Sequence, residues 1–367
     1  MQRTRPPFRA DHVGSLLRPA ALKSARERFA KGEIDAAALK AVEDREIEAI
    51  IKKQEAVGLH AITDGEFRRS WWHLDFLWGL DGVERHVMDA GVAFSAVTTR
   101  NEGVKVTGKI GFSSHPMIEH FKFVKAHTQR TPKITIPAPS ALYGRPNPTP
   151  INKDVYPTLD KFFADLGQAY KKAVRAFADA GCRYLQLDEV FIAMLCDPKY
   201  RKQMTDRGDN PDYLGDVYGE LINEAMSDIP SDMTVTMHLC RGNYKSTFMG
   251  TGGYDAMQEV LFDKIKVHGY FMEYDSDRAG GFEPLKRLQK SRIAVLGLVT
   301  TKTGQLESKD AIKRRLEEAA KFTSLDQLAL SPQCGFASTE EGNTLAEEEE
   351  WAKLKMIVEV AQEVWGK

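Results

Sequence analysis

The chain has 367 residues, and its 51 Lys and Arg stand against 52 Asp and Glu for a formal net charge of -1. That length suffices for one large domain or two ordinary ones, and so even a balance, with no basic stripe, argues against nucleic acid or an anionic membrane surface as partner. Four cysteines are too few for a disulfide framework, the opening MQRTRPPFRADHVGS lacks a signal peptide's apolar stretch, and no run nears the roughly 20 apolar residues of a spanning helix, so a soluble, cytoplasmic protein is expected.

FRADHVGSLLRP reads as a first strand ending at Gly14 and Ser15, with a helix following from about Pro19 to Ala30. The segment DAAALKAVEDREIEAIIKKQEAVG reads as a second helix. Asp35 would cap it, Ile47, Ile50, Ile51 and Val57 recur at helical spacing, and Gly58 ends it. AITDGEF is a short second strand that delivers Asp64 and Glu66 to its carboxyl end. The aromatic run WWHLDFLWGL (71–80) reads first as core packing, while its place after a strand ending in acids leaves a role as pocket wall open. Across 84–130, VAFSAVTT, VKVTGKIGF and HFKFVKAH alternate and are β-branched, the pattern of an antiparallel excursion.

PKITIPAPS is the third strand, and a helix from about Pro157 to Ala180 carries Phe162, Phe163, Leu166, Tyr170 and Val174 as a buried stripe. RYLQLDEV is the fourth strand, ending in Asp188 and Glu189. A polar stretch, DPKYRKQMTDRGDNPDY, then leads to the helix LGDVYGELINEAM. The remaining strands are TVTMHLC, GYFMEYD, RIAVLGLV and DQLALSPQC. The helices YDAMQEVLF, EPLKRLQK and KDAIKRRLEEAAKF separate them, and LAEEEEWAKLKMIVEVAQEVW closes the chain. Eight strands interleaved with helices predict an α/β fold, a (β/α)8 TIM barrel spanning 1–367 as one catalytic domain, with the β-rich excursion inserted at 84–130 after the second strand. An open doubly wound sheet is disfavoured, because no glycine-rich phosphate fingerprint follows the first strand.

In a strand, TVTMHLC places Thr234, Thr236, His238 and Cys240 on one face and Val235, Met237 and Leu239 on the other. An imidazole and a thiol thus share a strand's carboxyl end. Glu273 and Cys334 stand at the same point of the sixth and eighth strands, and zinc takes this combination of sulfur, nitrogen and carboxylate oxygen. Ser15, Glu66, Asp188 and Glu189 also fall at strand ends, on the face where barrel enzymes place their active sites. Two thiolates and a carboxylate leave divalent zinc with one net negative charge, a poor setting for hydrolysis and a good one for holding a thiol as its thiolate, so sulfur alkylation is the implied reaction class. Glu66 and Asp188 can pair with an ammonium and the backbone at Gly14 and Ser15 can hold a carboxylate, though each is equally readable as a cap. Cys182 and Cys196 read as small buried hydrophobes.

Together, HVGS, DGE, QLDEV, HLC, MEYDSD and SPQCG resemble the catalytic barrel of cobalamin-independent methionine synthase, and more closely the shorter single-barrel members of that family. The resemblance implies that His238, Cys240, Glu273 and Cys334 bind zinc and that Gly14, Ser15, Glu66 and Asp188 hold homocysteine. The bound thiolate would take a methyl group to give methionine, from methyl-folate (5-methyltetrahydrofolate) or from another donor such as a methylated corrinoid protein. The second, amino-terminal barrel that helps the full-length enzymes bind the donor is not among these residues. Lys302 stands near the position of a family histidine thought to assist proton transfer, so the catalytic candidates are Glu66, Asp188 and Lys302. The family's folate-facing tryptophan is missing from PAPSALYGR, where Tyr143 is the nearest aromatic. Two alternatives remain: a related zinc thiol alkyltransferase with another thiol or electrophile, and a barrel resembling uroporphyrinogen decarboxylase or carrying a structural metal.

Overall fold

The computed structural model describes residues 3–366. Its strands, in chain order, begin with β1 (Ala61–Ile62), the ribbon strands β2 (Asp81–Val87) and β3 (Glu102–Gly111), and β4 (Thr131–Pro132). Then come β5 (Ile134–Pro137), β6 (Tyr184–Glu189), β7 (Thr234–Leu239), β8 (Gly269–Glu273), β9 (Ile293–Val299) and β10 (Leu328–Pro332). Strands β5 to β10 form one parallel sheet in sequential order, and β1 pairs with β4 in parallel. The runs ITIP, YLQLDE, TVTMHL, GYFME and IAVLGLV are almost wholly buried, as expected of strands covered on both faces.

The two remaining staves of the expected (β/α)8 barrel are present but reduced. At one edge of the sheet Ala10 bridges to Leu330 in parallel, and Asp11 N and Leu330 N complete the pairing at 3.0 and 2.8 Å. At the other edge Lys133 N donates to Ile62 O at 2.8 Å, which joins β1 to the run leading into β5. Side chains tie these two staves together: Thr63 Oγ1 donates to Gly14 O at 2.7 Å and the His12 ring lies 3.0 Å from Ala61 O. Leu16 N adds a backbone bond to Gly65 O at 3.0 Å. At these two staves Thr63 and His12 make with side chains contacts that ladder amides make elsewhere.

The helix Ala36–Val57 begins where Asp35 accepts a hydrogen bond from Ala38 N and stops at Gly58, whose φ of 104° favours glycine. Leu159–Asp179 buries Phe162, Phe163, Leu166, Tyr170 and Val174 as anticipated and packs beside Pro211–Ala225.

Four segments differ from expectation. HFKFVKAH belongs to a helix, Pro116–His127, so the excursion is a β2–β3 ribbon followed by a helix. His115 accepts from Met117 N at its start, Pro116 occupies the first turn, and Met117, Phe121 and Val124 are buried at four- and three-residue spacing. That stripe starts at Met117, three residues ahead of HFKFVKAH. The polar run after Asp197 also contains a helix, Pro198–Asp206, capped by the Asp197 side chain. In contrast, YDAMQEVLF and EPLKRLQK form only short irregular turns, Tyr254–Met257, Val260–Lys264 and Glu283–Arg287. No helix among the described residues is long and apolar enough to cross a membrane.

The ribbon bears on the site through the loop that joins its two strands. That loop reaches across the molecule, where Ser95 N donates to Phe248 O at 3.0 Å and the Phe94 and Tyr244 rings lie 5.5 Å apart.

Candidate metal centre

His238 is the fifth of the six residues of β7 and Cys240 comes directly after its end; Glu273 is the last residue of β8, and Cys334 lies two residues past β10. Strand alternation turns His238 and Cys240 to one side while Val235, Met237 and Leu239 pack into the apolar core. All four side chains are buried, and one ligand atom from each lies within 4.8 Å of those of the other three. The Cys240 and Cys334 sulfurs are 3.6 Å apart. Tetrahedral zinc with Zn–S bonds of about 2.3 Å places two sulfurs about 3.8 Å apart, so donor set and spacing both fit that metal.

A second layer fixes these groups. His238 Nδ1 lies 3.3 Å from Asp188 Oδ1, while Nε2, 3.1 Å from Gln333 O, faces the segment that carries Cys334. A carboxylate on one ring nitrogen leaves the other for a metal, the arrangement most metal-binding histidines use. Glu273 accepts from Arg241 N at 3.0 Å and from Arg278 at 2.7 Å, and Arg278 also holds Asp275 at 2.8 Å. Burial opposes the charged imidazole, but Cys334 and Asp188 outweigh it and push His238 up to about 9. Burial also opposes a charged Glu273, yet Lys302, Arg278 and His238 draw it below the usual carboxylate value. The surroundings are thus arranged for a charged cluster.

A cavity of about 80 Å³ opens above the cluster, and His238, Cys240 and Cys334 line it with Ser15, Glu66 and Asp188. Glu66 has a φ of 61°, inside the strained left-handed region. Its Oε1 accepts from Thr135 Oγ1 at 2.7 Å and lies 3.4 Å from Arg69, while its buried Oε2 has no partner. Burial raises its pKa against the pull of Arg69. Arg18, itself buried, braces this corner by donating to the carbonyls of Leu16, Glu66, Arg69 and Ala337. Of the expected pair at the first stave, Ser15 faces the cavity and Gly14 does not. Gly14 instead turns the chain at φ 143°, with a Cβ there falling 2.7 Å from Thr135 Cγ2.

Two expected rim residues lie elsewhere. Glu189 is fully buried beneath the rim, accepting from Ser140 Oγ at 2.6 Å and from Phe191 N and Ile192 N, so it caps a turn. Lys302 is not part of the cavity wall; its ammonium donates to Asn243 Oδ1 at 3.3 Å, and Asn243 does line the cavity. Tyr143 is likewise absent from the wall and donates to Asp209 at 2.8 Å.

The aromatic cluster does serve as wall through Trp71, Trp72 and His73, the reading its position after β1 had kept open. Several wall residues carried no signal in the sequence: Val92, Phe94, Thr99 and Glu102 from the excursion, Arg145 after β5, and Asn243. Trp71 Nε1 donates to Glu102 at 2.7 Å, a contact between segments that only the folded chain brings together.

The parallel α/β architecture, with a buried His, Glu and two Cys gathered at its carboxyl rim beside Glu66 and Asp188, places the chain in the class of α/β-barrel proteins with a candidate metal site. Within it, the chain belongs to the family of the cobalamin-independent synthase catalytic domain, whose model matches residues 8–363. It is 51% identical to the uncharacterized protein YxjG of Bacillus subtilis strain 168, over 100% of this chain and 97% of that one. It is 25% identical over 298 residues to a methionine synthase of Pyrococcus abyssi, covering 80% of this chain and 76% of that one. Among solved structures, the putative vitamin-B12 independent methionine synthase from Listeria monocytogenes superposes with a TM-score of 0.79 at 42% identity, each chain covered in full.

Proposed function

We propose that this protein is a zinc-dependent methyltransferase that moves a methyl group onto the thiol sulfur of homocysteine to give methionine. The observation that carries the reading is the pair of sulfurs 3.6 Å apart, with His238 and Glu273 completing the set, at the floor of a cavity that also presents Glu66 and Asp188. The Pyrococcus relative named methionine synthase supports the product, and the methyl donor, methyl-folate or a methylated corrinoid, comes from the family likeness alone.

His238, Cys240, Glu273 and Cys334 would hold the zinc, which when bound supplies deprotonation of an incoming thiol at neutral pH. The chain's own residues orient the rest of the substrate. The partnerless Oε2 of Glu66 and the Asp188 carboxylate take the ammonium group, and the segment at Ser15, which Gly14 turns toward the cavity, takes the carboxylate. Held at both charged ends, the amino acid presents its sulfur to the donor methyl carbon. The sulfur–carbon bond forms as the methyl carbon parts from the donor, which keeps the electron pair. In this scheme Lys302 positions Asn243 and offsets the charge of Glu273, rather than touching the substrate.

The test combines metal content with product formation. Purified protein is expected to carry about one zinc per chain, lost in Cys240→Ser and in Cys334→Ser while the fold persists by circular dichroism. Homocysteine with a panel of methyl donors should yield methionine. Equal turnover of unrelated thiols would refute the choice of homocysteine, and protein that takes up no zinc would refute the whole scheme.

A further inference from the structure

Arg145 lies beyond β5 and is buried to 4% exposure, yet its guanidinium makes no hydrogen bond or ion pair to any described residue, and its Nη1 is fully enclosed without a partner. Burial, with no acidic neighbour to oppose it, draws its pKa down to about 10. An uncompensated cation in an apolar wall is costly, and such groups persist where a ligand completes them. The enclosed arginines Arg18 and Arg69 leave only Nε without a partner: Arg18 donates to four carbonyls through its Nη groups, and Arg69 pairs with Glu66 and Thr135.

Its position adds a second observation. Arg145 lines the cavity above the metal-ligand cluster and also a separate outer cavity of about 380 Å³, bounded by the β2–β3 ribbon and the segment Asn147–Pro150. The neighbouring wall is His73, itself neutral because burial and Arg145 hold its pKa well below the ordinary value, with an enclosed Nδ1 that has no partner. The inner cavity already offers Glu66, Asp188 and the Ser15 segment to the charged ends of a small amino acid. A second reactant lying in the outer cavity would reach the inner one beside Arg145, which lines both.

We propose that Arg145 is the anion-recognition residue for the methyl donor: it takes a carboxylate or phosphate on the donor's body at the junction of the two cavities and so selects anionic donors. The inference rests on the methyl-transfer reading above. A fork of guanidinium N–H groups suits either anion, because both offer paired oxygens for bidentate bonding.

The experiment measures methionine formation from homocysteine with 5-methyltetrahydrofolate, which offers carboxylates, and with methylcobalamin, which offers a phosphate, using wild type, Arg145→Met and Arg145→Lys. For the donor the wild type uses, Arg145→Met should raise KM by about 30-fold or more, the scale of a lost charge-assisted bidentate pair. The KM for homocysteine should stay within about 2-fold and zinc content unchanged, with Arg145→Lys intermediate. The lysine variant carries the test by itself if the methionine variant does not fold. An unchanged donor KM overturns the inference, and so does an equal rise in the KM for homocysteine, which would assign Arg145 to the acceptor. Wild type that makes no methionine from either donor removes the methyl-transfer reading and this inference with it, an outcome seen before any variant is compared.

Discussion

Glu350 offers a test of the site's support that depends only on burial and charge. It lies in the first turn of the helix Glu347–Trp365 and is wholly enclosed; Oε1 accepts from Leu17 N at 3.1 Å, and Oε2 has no partner. Leu17 is two residues past Ser15, so this bond ties the segment proposed to hold the substrate carboxylate to the last helix. Burial is the main cause that raises the Glu350 pKa from 4.5 to about 8. The folded protein therefore keeps a proton at pH values where the unfolded chain has lost it. The stability this contributes is fully present below about 4.5 and is lost as pH rises through about 8, a total of about 5 kcal/mol. Glu350→Gln keeps an acceptor for Leu17 N and removes the titration. At pH 9 the variant should be the more stable by most of that amount, which at about 2 cal/mol/K of unfolding entropy per residue is about 6 °C in Tm for this chain. At pH 5 the two proteins should melt within about 1 kcal/mol of each other. Thermal melts of both proteins from pH 5 to 9 decide the matter. Parallel Tm curves for variant and wild type would show that Glu350 is ionised in the fold and that the reasoning is wrong.

Asp188→Asn removes the negative charge facing His238 Nδ1 at 3.3 Å and should weaken zinc binding about 10- to 100-fold in a chelator competition; unchanged affinity would dismiss Asp188 as the group that orients the ring. Gly335→Ala would put a Cβ 1.9 Å from Ser15 Oγ. Relieving that clash costs about 1–3 kcal/mol, so kcat/KM for the thiol should fall about 5- to 100-fold with zinc retained, and a loss under about 2-fold would count against Ser15 as substrate contact.

Much of the architecture was legible because a parallel barrel strand is buried on both faces and therefore reads as a short apolar run between helical patterns. IAVLGLV is a clear case, TVTMHL alternates instead, and the metal-ligand candidates stand where such strands stop. HFKFVKAH misled because Phe121 and Phe123 alternate while Phe121 and Val124 also fit helical spacing; the stripe Met117, Phe121, Val124 settles on a helix that packs against the helix Ala36–Val57. Glu189 and Asp188 show the limit at a single residue. Adjacent positions on one strand face opposite ways, so one acid lines the cavity and the other caps a turn, and the sequence alone does not number the faces.

The sequence by itself determined the alternation of strands and helices, and it determined which residue types stop at the strand ends, because both arise from local periodicity and turn chemistry. Tertiary structure alone decided that Cys240 and Cys334, 94 positions apart, would bring their sulfurs to 3.6 Å. It alone decided that the excursion would wall the cavity and that Arg145 would be left without a counter-charge. Those facts depend on the closure of the barrel and on which surfaces meet across it, and contacts between distant segments leave no periodic trace in the chain.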